Sequence, residues 1–159
     1  MISAVDKERL DAMLAAQSAY DEIMFPNWAK LEDKQGALRF ALLNVRMRRF
    51  ALRLLFELTD EEKEMQFSNL MDLATVGHCD IGQVRAIIRS LPREWLLANL
   101  GPHVELLLAR DDAETYRRLA ELLCDIGDQA SLTKLIDRAR MSSDPNILEI
   151  AQDFEELAG

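Results

Sequence analysis

A chain of 159 residues, 49% apolar and 30% charged, has room for one domain with a core of its own, and this composition is that of a folded protein rather than a disordered one. Its formal net charge of −9 opposes nonspecific attachment to nucleic acid or to an anionic membrane, so neither is expected as a partner. Cys79 and Cys124 stand in neither a CxxC pair nor a disulfide-like series, which fits a reducing compartment and a cytoplasmic location.

No run alternates β-branched with polar residues between turn dipeptides, so an all-helical chain is predicted. The opening MISAVDKERL carries Asp6 and Glu8 where a secretory leader needs apolar residues, and no signal peptide is expected there. Asp6 is expected to cap a helix over 7–24 that Pro26 ends, with a short helix around Trp28 to Asp33 after it. Gly36 then precedes a long helix over 37–58. On that helix Phe40, Leu43, Met47, Phe50, Leu54 and Leu58 share one broad apolar face, and Ala41, Val45, Leu52 and Leu55 make much of the remainder apolar. Such a helix is expected to be central and covered, with one open edge that carries Arg39, Arg46, Arg49 and Arg53. The surrounding window LRFALLNVRMRRFALRLLFEL has five arginines, too many for a membrane span.

From Lys34 to Arg53 there are six basic residues and no acidic one, although the whole chain is acidic. Such a stripe either pairs with acids of neighbouring helices, with Asp11, Glu22 and Glu57 as candidates, or stays solvated. The functional alternative is a docking strip for an acidic protein surface or a phosphate-bearing ligand, because guanidinium groups offer planar, two-pronged donors.

Beyond residue 58 the pattern repeats. Thr59 and Glu62 in TDEE form a capping box that opens a helix over 60–76. Tyr116, Leu119, Ala120 and Leu123 lie at i, i+3, i+4 and i+7, and Ile147, Ile150, Ala151 and Phe154 repeat this 31 residues later. Val84, Ile87, Ile88 and Leu91 stand 32 residues earlier than the Tyr116 set, and Met47, Phe50, Ala51 and Leu54 another 37 before that. Between these copies Phe67, Leu70, Met71 and Ala74 match Leu132, Leu135, Ile136 and Ala139, with Val104, Leu107 and Leu108 as a shorter version. PREWLLANLG (Pro92 to Gly101) reads as an extra short helix between units. After Arg140 only acidic charges follow, which suits a solvated end-cap.

The implied unit is a helix, a turn and a second helix, stacked so that each pair hides the next one's apolar face. Asp80 with Arg85, and Asp112 with Arg117, begin the second helices in a D-x-x-x-[VY]-R pattern that resembles the HEAT-repeat family over roughly residues 59–159. The resemblance implies a short right-handed α-solenoid of stacked hairpins, with Asp80, Arg85, Asp112 and Arg117 as a hydrogen-bonded ladder between repeats. The periods are shorter than is usual in that family, and Leu148 stands where the last copy needs its arginine; an irregular helical bundle is the alternative. The domain reading is a single helical domain over 1–159, with N-terminal helices over 1–58 and HEAT-like hairpins over 59–159.

Catalytic patterns are scarce. His78, Cys79 and Asp80 are adjacent, and neighbours in a turn do not converge on one ion; there is no HExxH, phosphate loop or nucleophile elbow. His103, just after Pro102, is expected exposed in the first turn of a short helix, and Cys124 buried as a small hydrophobe. Trp28 and Trp95 are large enough to anchor a partner, with packing the plainer role for both. The expected function is therefore a non-catalytic protein–protein interaction module without a cofactor, its partner-binding candidates being Arg39, Arg46, Arg49, Arg53 and Trp95. A dedicated inhibitor, immunity protein or secretion chaperone for one cognate protein is one alternative. A small enzyme or enzyme accessory with an inter-repeat groove is another.

Overall fold

The computed structural model describes residues 2–157. Among these residues the chain is helical with no strand: α1 (Ala4–Ala29), α2 (Lys34–Leu43), α3 (Val45–Glu57), α4 (Asp60–Glu64), α5 (Phe67–Ala74), α6 (Ile81–Ser90), α7 (Arg93–Leu108), α8 (Ala113–Ile126), α9 (Gln129–Arg140), α10 (Pro145–Phe154) and a 3-10 turn at Glu155–Leu157. No helix among them is long and apolar enough to cross a membrane. The chain separates into two compact units, 1–37 and 38–159, with the division falling inside α2.

The first unit is dominated by α1. Ser3, not Asp6, caps it: the Ser3 hydroxyl accepts the Asp6 N–H at 3.1 Å and donates to the Asp6 carboxylate at 2.7 Å. Pro26 does not end the helix, which continues to Ala29. A proline removes one helical hydrogen bond, and the next turn is reinforced where the Asn27 side chain donates to the Ile23 carbonyl at 2.7 Å. Trp28 consequently belongs to the last turn of α1, with the Lys34 ammonium 5.8 Å from its ring centre, and no separate helix forms over 28–33. Most large apolar residues of α1, among them Val5, Leu10, Met13, Leu14 and Ile23, are exposed.

In the second unit the expected long helix over 37–58 is two helices. Asn44 leaves helical geometry (φ −85°, ψ 115°) and its side-chain oxygen accepts the Arg46 N–H at 3.0 Å, which starts α3 afresh. Asparagine competes with a helix for its own backbone bonds, so it is a poor interior residue and a strong cap. The guanidinium of Arg48 satisfies the Leu42 carbonyl that the break leaves open, at 2.9 Å. Breaking the helix also changes which side is hidden. Leu38, Ala41 and Leu42 are buried before the break, and Ala51, Leu52, Leu54 and Leu55 after it. Of the expected core face only Leu54 and Leu58 are buried; Phe40, Leu43, Met47 and Phe50 are exposed.

Both halves of the capping box are made: the Thr59 hydroxyl accepts the Glu62 N–H, and the Glu62 carboxylate accepts the Thr59 N–H at 3.1 Å. The helix it opens is short, because Gln66 turns out of helical geometry (φ −96°, ψ 1°), and the expected helix over 60–76 is divided into α4 and α5. The turn sends Met65 outward and seats Phe67 in the core. The opposite correction applies to Pro92–Gly101. This segment is not a separate short helix but the first part of α7, which runs through Pro102. Proline disfavours helical geometry in the residue before it by clashing with that residue's Cβ; Gly101 has no Cβ, and the space around it is open.

The core is built from the periodic sets. Val84, Ile87, Ile88 and Leu91 on α6 and its C-cap, Tyr116, Leu119, Ala120 and Leu123 on α8, and Ile147, Ile150 and Ala151 on α10 are buried, whereas Phe154 is only half-buried. Phe67, Leu70, Met71 and Ala74, Val104, Leu107 and Leu108, and Leu132, Leu135, Ile136 and Ala139 are buried on α5, α7 and α9. In the set over α3, Ala51 and Leu54 are inside and Met47 and Phe50 outside. The helices pack α5 on α6, α7 on α8 and α9 on α10, and also α5–α7–α9 and α3–α6–α8–α10 in succession. Gly127, at φ 74°, closes α8 in the left-handed region that only glycine enters without strain, and its N–H bonds the Leu123 carbonyl at 2.9 Å.

Candidate functional site

Arg39 projects from α2 and Arg46, Arg49 and Arg53 from α3, all four exposed. On α3 the last three lie at i, i+3 and i+7, one side of the helix. Arg49 is committed to a partner: its Nε is 3.2 Å from Oδ1 of the buried Asp80, and that hydrogen bond with its charge raises the Arg49 pKa from its ordinary value. Apolar side chains flank the arginines. Phe40 (63% exposed), Leu43 (54%) and Val45 (76%) stand around the Asn44 break, and Met47, Phe50 and Phe56 follow along α3. The surface is therefore mixed, with guanidinium groups set among aromatic and aliphatic side chains.

Sequence reading finds the arginines and misses the exposed apolar residues beside them, because an unbroken helix assigns those residues to the core. The signal that locates them is Asn44, a capping residue between two apolar stretches. Trp95 lies on α7 rather than with the arginines. Its ring packs edge-on against Phe67, with centroids 5.2 Å apart and planes at 82°, and it is half-buried.

Asp80, Arg85 and Arg117 each join their helix to another, while Asp112 serves its own. Asp80 receives Arg49 from α3. Arg85, mostly buried, donates to the Arg118 carbonyl at 3.0 Å and to Glu121 at 2.8 Å on α8, with Asp125 at 3.9 Å. Arg117 bonds Asp153 of α10 at 2.8 Å. Asp112 caps α8 by accepting the Thr115 N–H at 2.8 Å. Other cross-helix ties join Arg110 to Asp72, and Glu105 of α7 to Lys134 and Arg138 of α9. The hydrogen bond from Lys134 holds the Glu105 carboxyl below its ordinary pKa. Burial pushes Glu121 upward, but hydrogen bonds from Arg85 and Arg118 outweigh it and lower the group's pKa overall.

The His78-Cys79-Asp80 segment is a structural turn. His78 Nε2 lies 2.9 Å from the Leu73 carbonyl and Nδ1 accepts the Asp80 N–H at 3.1 Å, so both ring nitrogens are engaged by backbone. Among the described residues no group of three His, Cys, Asp or Glu side chains can hold a metal. His103 is not in a first turn but in the middle of α7, where its ring meets Phe67 at 4.8 Å and Nδ1 lies 3.1 Å from the Asn99 carbonyl. Cys79 is exposed, and Cys124 is half-buried rather than buried, with burial raising its thiol pKa. An open groove of about 310 Å³ is lined by Glu114, Arg117 and Arg118 of α8 and Asn146 and Glu149 of α10, with no histidine or cysteine among its lining residues.

Compared with known proteins, the chain matches no family model, no curated protein and no solved structure.

Proposed function

We propose that this protein is a non-catalytic interaction module, a short HEAT-like α-solenoid that holds a partner protein on the exposed side of α2 and α3. The observation that carries this reading is the mixed surface itself. Phe40, Leu43 and Phe50 expose 63%, 54% and 44% of their area beside arginines, and aromatic residues with arginine are the types that dominate the energetics of protein interfaces. The solenoid part is supported by successive packing of α5–α7–α9 and of α3–α6–α8–α10, with ion pairs crossing both rows.

The test is affinity capture from native lysate with the intact chain as bait. Arg39→Glu with Arg46→Glu is expected to abolish capture of the specific partner, and Cys79→Ser to leave it intact. Both arginines are exposed and neither forms an ion pair among the described residues, so their reversal leaves the fold standing. Undiminished capture by the double variant, or loss with Cys79→Ser, contradicts the reading.

A further inference from the structure

We infer that the occupant of the α2–α3 face is an acidic amphipathic helix of a partner protein, an inference that rests on the interaction reading above and specifies its ligand. The face makes two demands at once. Phe40, Leu43, Met47 and Phe50 need apolar cover, and Arg39 and Arg46 need carboxylates. A free phosphate meets the second demand and leaves the aromatic rings in water. A purely apolar segment meets the first and strands guanidinium groups at a dry interface, which is costly.

The local charge selects the sign of the occupant. Arg39 and Arg46 stand exposed on α2 and α3 without an ion pair among the described residues, and Arg49 beside them is paired with Asp80. An acidic ligand is therefore drawn to this face, while the chain's overall −9 repels extended polyanions and anionic bilayers. A helix with apolar side chains at i, i+3, i+4 and i+7 and Asp or Glu along their margins presents both chemistries on one face. The exposed stretch of α3 spans about three turns, which is the length over which such a helix lies alongside another.

The experiment is selection from a displayed library of random peptides of about 20 residues, long enough to form a helix, against the intact chain. Enriched peptides are expected to carry Asp and Glu between apolar residues at helical spacing. They are expected to lose affinity about ten-fold or more on Arg46→Glu and on Phe50→Ser, and to be unmoved by Leu106→Ser, an exposed leucine on α7. All three positions are exposed, so the variants fold. Enriched peptides that are basic or uncharged, yet still depend on Phe50, overturn the acidic helix and leave the docking face standing. Peptides insensitive to both variants, or no enrichment, remove both. Two further results also overturn the inference: Phe50-dependent cosedimentation with phosphatidylserine vesicles, which assigns the face to membrane, and a Phe50-dependent dimer in light scattering, which assigns it to a second copy.

Discussion

Two quartets in this chain look alike as letters, yet one is buried whole and the other only in half. Tyr116, Leu119, Ala120 and Leu123 are sealed inside, whereas Met47 and Phe50 of the quartet Met47, Phe50, Ala51 and Leu54 stand in solvent. Both satisfy the i, i+3, i+4, i+7 rule, and that rule states only which residues share a side of a helix. What covers that side depends on neighbouring helices. For α8 the neighbours are α5, α6, α7, α9 and α10; for α3 the main packing is with α6. A quartet is core only when helices arrive from enough directions to enclose it.

Substitution sharpens the contrast most. Leu119→Ala and Ile87→Ala each empty space in a closed core, and each is expected to cost about 2–5 kcal/mol in urea unfolding. Phe50→Ala and Phe40→Ala, although they remove more atoms, are expected to cost about 1 kcal/mol or less, because much of each ring already faces water. Equal losses for the two sets would break the distinction between a core quartet and an open one.

Next in size is the cap that separates α2 from α3. Asn44→Ala removes the acceptor of the Arg46 N–H and is expected to destabilise by about 1 kcal/mol, with Asn44→Asp retaining most of the stability because it offers the same oxygen. If alanine is neutral there, the break is imposed by packing rather than by the residue.

The smallest effect concerns Glu121, which ties α8 to Arg85 of α6. Its pKa is lowered in the folded chain from the ordinary value of 4.5, so the stability it contributes is present above that value and is lost as pH falls through the lowered one. Glu121→Gln is expected to cost no more than about 1 kcal/mol near neutral pH, since solvent reaches the pair, and the deficit is expected to vanish in acid. Urea titrations of both proteins across that range check the sign; a deficit that grows in acid would contradict the ion-pair account.

These cases also mark what the letters reveal. The buried sets on α5 to α10 are legible because their periodicity is local and their neighbours follow within a few residues. The Thr59 capping box is legible because its reciprocal bonds are made within four residues. The arginines can be read from charge, but the aromatic half of the candidate site cannot, because one asparagine decides whether Phe40 and Phe50 turn inward. Pro26 and Pro102 mislead in the other direction: each signals a helix end, and each is absorbed by a turn that tolerates the missing N–H. Asp80 precedes α6 without capping it: its side chain makes no capping bond and instead accepts the hydrogen bond of Arg49 from α3, a partner that local sequence does not name.

The most direct measurement is amide hydrogen exchange on the intact chain, free and bound to its captured partner. The account predicts that slowed exchange on binding centres on residues 39–56, with α8 already protected in the free chain and unchanged by the partner. Protection that appears in α8 to α10 while residues 39–56 exchange as before would contradict it.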